Sequence, residues 1–397
     1  MVRSAGAASG RRAMVIASLA TVAGSLPVFF TAAMAVQVSH DLNFGTVGIG
    51  AAVATFFGTM ALTSMYLGRV ADRLGATRSL RIASFGAGVS ALGIATSARA
   101  WWALAGWLVV SGTAAALAQP AANRLLINRV RITRLGTAFG LKQSAPPTAS
   151  MLAGLSVPVI ALTVGWRWAF AVAAIAAVAM AIAVGPTPSS APAPVARKER
   201  QKLQPLRDPG TLLLLATGFG LGFASNSAVL AFFVDAATRS GLSSSAAGLV
   251  FAASSLAAII VRVVAGIACD RLTFRPLRLC AALLTTGAVG VALLAAGGPG
   301  LVPVGGIMAI AGTWGFPGVF WFAVLRAYPQ TPGRITGAMA PASVGGVLGP
   351  IGFGVLAANV SDGAAWWATA GVALLAALAM LFGAQRLAAD APPPATT

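Results

Sequence analysis

The chain has 397 residues, 58% of them hydrophobic and only 9% charged, with a mean hydropathy of +0.86. A soluble domain carries about a quarter charged residues, so this composition excludes one and places the polypeptide in a lipid bilayer. The formal charge of +19 would suggest nucleic acid in a soluble chain, yet the basic residues fall into alternate loops, which is a topology pattern and argues against a nucleic-acid partner.

Apolar runs long enough to cross a hydrocarbon core of about 30 Å predict twelve spans, at residues 13–36, 46–67, 79–97, 102–128, 135–163, 168–185, 210–236, 245–268, 279–296, 301–325, 334–360 and 364–385. The first run is too long for the apolar core of a signal peptide and lacks a convincing cleavage site, so it is expected to stay as span 1. Between spans 6 and 7, Gly185-Pro186-Thr187-Pro188 opens a Pro, Ser and Ala stretch that ends in the basic segment Arg197 to Arg207. No helical periodicity crosses it, and it reads as a solvated linker. The expected organisation is a tail at 1–12, a six-helix bundle at 13–185, a linker at 186–209, a second bundle at 210–386 and a tail at 387–397. The expected fold class is therefore all-α: twelve transmembrane helices in two pseudo-symmetric six-helix bundles.

Arg3, Arg11, Arg12, Arg69, Arg73, Arg78, Arg81, Arg129, Arg131 and Arg134 fall on one side of this topology, as do the linker cations and Arg271, Arg275, Arg278, Arg326, Arg334 and Arg386. They make 21 of the 27 Lys and Arg, against Arg99, Arg167 and Arg239 on the other side. The positive-inside rule then predicts a multi-pass protein of the cytoplasmic (inner) membrane with both termini and the linker in the cytoplasm. Trp101-Trp102, Trp166 with Trp168, and Trp366-Trp367 are expected as anchors at the outer interface. Cys269 and Cys280 flank a cytoplasmic loop and read as packing residues.

Two copies of one pattern follow spans 2 and 8: Gly68-Arg-Val-Ala-Asp72-Arg73-Leu74 and Gly266-Ile-Ala-Cys-Asp270-Arg271-Leu272, offset by 198 residues. Arg134 through Gly154 also matches Arg334 through Gly354, and Gly48 matches Gly248, both at an offset of 200. Nearly constant offsets at three places indicate a duplicated half. These residues resemble the major facilitator superfamily of secondary transporters, whose loop between helices 2 and 3 has the form G-x-x-x-D-R-x-G-R. Gly68, Asp72, Arg73 and Gly75 match, with Arg78 near the last basic position, while Ala76 and Thr77 depart from the form; the second copy has Thr273 in place of the second glycine. The resemblance runs over roughly 13–386 and implies alternating access around a solute site between the halves. It also implies a conformational latch made by Gly68, Asp72, Arg73, Gly266, Asp270 and Arg271. The aspartates would accept hydrogen bonds from helix-start amides or arginine in the outward-open state, and the glycines would be close backbone contacts.

Ionisable groups inside a membrane are costly and mark functional candidates. Lys142 lies about two turns into span 5, roughly 10 Å from its cytoplasmic end, within Gly140-Leu-Lys142-Gln143-Ser144 and ahead of Pro146-Pro147. It is expected to bind an anionic group, the competing reading being a lysine that snorkels to the surface. Gln119, Asn123, Gln143 and Asn226 would supply hydrogen bonds, and Phe30, Phe233, Trp314 and Trp321 apolar walls. Arg124 and Arg262 are assigned structural pairing, with snorkelling or the loop aspartates. Among the eight acids only Asp235 falls within a span, near its outer end, where it either faces the cavity as a proton-coupling site or caps the helix; Asp41 beside His40 reads as a loop residue.

The expected function is thus secondary transport of a small anionic or amphipathic organic solute, with protons as a candidate coupling ion. The alternative is a proton-linked multidrug exporter built around Asp235. Span 4 lacks the arginine found before a glycine in many proton-coupled members. The Gly-x-x-x-Gly-Pro string that drug/proton antiporters carry in helix 5 occurs here in span 11, as Gly345 to Pro350. A sensor on the same fold would be expected to carry a soluble signalling domain, and no stretch longer than the linker is soluble. An enzyme is not expected: there is one histidine, no metal-ligand cluster, no G-x-S-x-G elbow and no phosphate loop. No cofactor or metal is expected, and the partners are a solute and the bilayer, with the chain a monomer.

Overall fold

The computed structural model describes residues 2–130, 135–184, 209–271, 275–327 and 344–389. Among the described residues the chain is helical, with no strand. The first half runs α1 (Val2–Ala33), the short α2 (Ala35–Asp41), α3 (Thr46–Leu74), α4 (Ala76–Ser97) and α5 (Trp101–Arg129). It continues through a segmented crossing, α6 (Leu135–Gln143), α7 (Ala145–Ser156) and a π-helical turn (Val157–Ala161), to α8 (Trp166–Ala183). The second half runs α9 (Pro209–Arg239), α10 (Ser244–Arg271), α11 (Pro276–Ala296), α12 (Leu301–Ala327), α13 (Gly345–Asn359) and α14 (Asp362–Ala389).

Ten of the described helices are long and apolar enough to cross a membrane, which makes this a multi-pass membrane protein. The segmented α6–α7 crossing and α13 occupy the places of predicted spans 5 and 11. The first part of span 11 and nearly all of the predicted linker lie outside the described residues. At the start of the chain α1 runs back to Val2, so residues 2–12, ahead of the first predicted span, are helical. Below, the helix ends bearing Arg69, Arg73, Arg78, Arg81, Arg129, Arg275, Arg278 and Arg386 are called the basic face, and the ends bearing Arg99, Arg167 and Arg239 the opposite face.

Without water, burying apolar side chains cannot drive helices together, so close approach of backbones does. A Cβ on Gly290 of α11 would sit 2.2 Å from the Ala309 nitrogen of α12, and one on Gly312 would sit 2.4 Å from Gly287 N. The Gly-x-x-x-Gly-Pro string of α13 does the same against α9, where Cβ atoms on Gly345 and Gly349 would lie 1.9 and 2.0 Å from Gly220 O and Ala224 O. Large apolar side chains such as Ile175, Ile182 and Phe382 point outward, the reverse of a soluble core. Several hydroxyls are satisfied by their own helices: Thr21 donates to Ala17 O, Thr31 to Pro27 O and Thr369 to Ala365 O, each at 2.8 Å. In each tryptophan pair at the opposite face only one ring is an exposed anchor. Trp102, Trp168 and Trp367 are exposed, whereas Trp166 and Trp366 are buried and the half-buried Trp101 donates to Gly48 O at 2.8 Å.

The halves meet chiefly through α3 against α13 and α7 against α10. Both seams are tightest toward the opposite face. A Cβ on Gly50 would be 2.3 Å from Pro350 O, and one on Gly154 would be 2.5 Å from Gly248 O. The duplicated positions follow one pseudo-twofold relation, since Gly154 abuts Gly248 while Gly354, its repeat partner, abuts Val47 next to Gly48. Ser150 and Ser255 hydrogen bond across the α7–α10 seam at 2.7 Å.

Candidate functional site

The break between α6 and α7 is written in Pro146 and Pro147. Proline has no N–H, so the carbonyls four residues earlier, on Lys142 and Gln143, lose their helical donors. Ser144 closes the turn, its N–H donating to Gly140 O and Leu141 O at 3.1 Å each. The freed Gln143 carbonyl accepts a hydrogen bond from Nη1 of Arg262, on α10 of the other half. The same guanidinium donates through Nε to Trp314 O on α12 at 2.5 Å. Pro317 repeats the device within the second half: the Thr313 carbonyl it leaves free accepts from Asn226 Nδ2 at 3.0 Å.

Lys142 is buried, 3% exposed, and its ammonium donates to Gln119 Oε1 on α5. Asn123, one turn further along α5, presents a buried Oδ1 with no partner. Trp314 is buried with its Nε1 unpartnered, and its ring meets Phe29 of α1 edge-on across the seam, centroids 5.3 Å apart. The four carboxylates whose side chains are described are all engaged elsewhere. Asp41 pairs with Arg167, Asp72 with Arg124 at 3.0 Å, and Asp235 and Asp362 with Arg239. Among the described residues, neither Lys142 nor Arg262 has an acidic partner.

The structure therefore brings Lys142 and Gln119 into direct contact and sets the Gln143 backbone beside them, with Trp314 at the same seam through Arg262. It does not bring Asn226, Phe30, Phe233, Trp321 or Asp235 there. Asn226 is taken up by Thr313 O. Phe30 turns into its own half, edge-on to Phe170 at 5.5 Å, so that Phe29 and not Phe30 reaches the second half. Phe233 is fully buried, stacked on Phe251 and covered by Gly306, where a Cβ would be 2.4 Å from its ring. Trp321 packs with Phe219 and Phe320 inside the second half. Asp235 lies at the rim of a hollow lined by Val36, Ser39, His40, Asn43, Phe44 and Gly45 on the opposite face, and is held by Arg239 of its own helix.

At the repeated loops, Gly75 ends α3 with φ of +80°, its N–H donating to Ala71 O at 3.0 Å, which gives that glycine of the pattern a conformational reason. Arg124 serves as a pairing residue for Asp72, inside its own half. Gly68 and Gly266 are not close backbone contacts here, because a Cβ at either would meet nothing within 4 Å. Arg73 lies in the last turn of α3 with no described acidic partner. Asp270 and Arg271 close α10, and their side chains lie outside the described residues. Sequence reasoning missed Phe29, the Ser150–Ser255 bond and the reach of Arg262 across the seam; the available signal for the last was Pro147, four residues after the carbonyl it frees.

The sequence matches the profile of the Major Facilitator Superfamily over residues 13–342. Comparison with curated proteins by sequence finds no match. Among solved structures, the chain is similar to a bacterial homologue of the human lysosomal transporter Spinster in an inward-facing, occupied conformation, with TM-score 0.74 and 15% identity over 96% of this chain and 98% of that one. It is similar to the nucleoside transporter NupG, with TM-score 0.72 and 16% identity over 94% and 99%. A D-xylose–proton symporter gives TM-score 0.75 and 18% identity over 93% and 96%. At these identities the likeness is one of fold.

Proposed function

The chain belongs to the major facilitator superfamily, and from that premise we propose that it is a secondary transporter carrying a small organic anion by alternating access, with Lys142 as the anion anchor. The observation that carries this reading is the accounting of charge. Every described side-chain carboxylate is bound to Arg124, Arg167 or Arg239, which leaves the buried Lys142 ammonium with only the neutral Gln119 amide. A buried cation without a counter-charge is expensive, and an anion bound beside it relieves that cost. Gln119 and Asn123 then orient it. With the basic face toward the cytoplasm, the seams that are shut here close the outer side, and the molecule faces inward. The exporter reading draws no support from this geometry, since Asp235 is held by Arg239 at the rim of the hollow on the opposite face.

The test is uptake of a solute panel by membrane vesicles under an imposed pH gradient of either sign. Lys142→Ala is expected to weaken uptake and binding of the preferred anion by roughly ten- to hundredfold, the worth of a charge-assisted hydrogen bond of about 1.5–3 kcal/mol. Lys142→Arg should retain part of it. Anion uptake indifferent to Lys142→Ala would remove the anchor, and uptake indifferent to the gradient would remove proton coupling.

Asp72 remains a latch candidate for the opposite state. Its pairing with Arg124 is half-exposed and contributes under about 1 kcal/mol. Asp72→Asn is thus expected to leave thermal stability nearly unchanged while slowing transport, and normal transport by that variant would end the assignment.

A further inference from the structure

We propose that Arg262 is the second anion ligand of this site, contributed by the other half, and that the solute is an organic dianion held between Lys142 and Arg262. The inference rests on the reading of Lys142 as an anion anchor and extends it to the charge of the solute.

Arg262 reaches out of α10 to the backbone of the residue next to Lys142, so the two cations approach one seam from opposite halves. Its bonds go to two backbone carbonyls, Gln143 O and Trp314 O. These are neutral acceptors. They occupy two of the five guanidinium donors and compensate none of its charge. Trp314, whose carbonyl takes one of those bonds, also holds its buried indole N–H without an acceptor. Lys142 has three ammonium donors and one partner, Gln119. The seam thus carries two positive charges and unused donors on both sides. A singly charged solute leaves one cation uncompensated, and a dianion neutralises both.

The Gln143 carbonyl has a particular place in this scheme. It is free to accept because Pro147 cannot donate to it, so the break in the helix furnishes a stand-in acceptor for Arg262 when solute is absent. A guanidinium on that carbonyl is also a strut between the halves. A solute whose second anionic group takes the guanidinium exchanges a charge-to-carbonyl bond for a charge-to-charge one, which is the stronger, and releases the strut as it binds. Binding of the dianion and freedom of the halves to rock are then one event.

The experiment uses the full chain in proteoliposomes. Its probes are a panel of dianions of three to six carbons, dicarboxylates and phosphomonoesters, each paired with the same molecule carrying one negative charge (monoamide or monomethyl ester); each dicarboxylate is also paired with its neutral diamide. Binding is read by competition and transport by counterflow. The wild type is expected to bind its best dianion at least roughly tenfold tighter than the monoanionic partner. Arg262→Gln should bring that ratio to near one, and Arg262→Lys, which keeps a charge, should recover part of the ratio and show that the site is still folded. A panel in which no dianion outcompetes its monoanionic partner overturns the proposal, as does a ratio unaffected by Arg262→Gln. If monoanions still require Lys142 in those cases, the anion anchor stands alone. If no charged probe outcompetes its neutral partner, both readings fall. The dicarboxylate and phosphomonoester arms identify which anion the site takes.

Discussion

Valine at Gly50 or Gly154 is expected to abolish transport by driving the protein out of the state described here. Valine at Gly68 or Gly266 is expected to abolish it by holding the protein in that state. At Gly50 the first added carbon would lie 2.3 Å from Pro350 O and 3.0 Å from the Phe232 ring; at Gly154 it would lie 2.5 Å from Gly248 O and 2.8 Å from Ala252 N. Most of these obstacles are backbone atoms of the other half, which no rotamer change can move aside. Overpacking of this kind typically costs 1–3 kcal/mol or more, and here relief comes by parting the two halves. A cost of about 3 kcal/mol shifts the equilibrium between the two facing states by roughly a hundredfold. Gly68 and Gly266 lie nearer the basic ends of α3 and α10, one helix from each seam, with open space around them. A side chain there fits the present arrangement and obstructs only a state in which the basic ends come together. Distances between spin labels on the two halves, measured at each face, should therefore shift in opposite directions for the two pairs of variants. Equal shifts, or none, would mean that these seams do not govern the facing state.

Those glycines show what the sequence made legible and what it withheld. The spans were readable because each is a long apolar run with a physical stop: α3 is ended by Gly75 at φ of +80°, and α8 is preceded by Gly165 at φ of +102°. The repeat offsets proved to mark contacts, with Gly154 on Gly248 and Gly354 beside Val47. Side-chain facing was not readable in the same way. A helix immersed in lipid is apolar on all sides, so the amphipathic stripe that orients a soluble helix is missing. Phe29 and Phe30 are equivalent in composition and stand about 100° apart around α1, yet one meets Trp314 across the seam and the other Phe170 within its half. Lys142 was legible because a buried charge is rare enough to stand out wherever it occurs. The partnership of Arg262 with Gln143 was not, because it joins a carbonyl freed by one proline to an arginine 119 residues later, and no local rule connects them.

Arg239→Gln is the second variant expected to move the whole molecule. The guanidinium sits on the opposite face as a three-way tie, pairing with Asp235 one turn back on α9, with Asp362 at the start of α14 at 2.5 Å, and with Thr46 Oγ1 at the start of α3 at 3.0 Å. Only the last bond joins the two halves. Glutamine leaves Asp235, whose side chain is 15% exposed, beside Asp362 with no cation between them. The loss combines an uncompensated, largely buried carboxylate with a broken closure, so it should cost about 1–3 kcal/mol and favour the state open at this face, in the same direction as Gly50→Val. Arg239→Lys is not expected to rescue it, because an ammonium lacks the planar fork that serves three acceptors at once. Two further variants separate the contributions. Adding Asp235→Asn and Asp362→Asn to Arg239→Gln removes the stranded charges and should restore stability while the face stays loose. Thr46→Ala deletes the one bond of this tie that joins the halves and should loosen the face by less than about 1 kcal/mol with stability unchanged. If the triple variant recovered normal transport, electrostatic strain within the second half would account for the whole effect, and Arg239 would not be part of the closure.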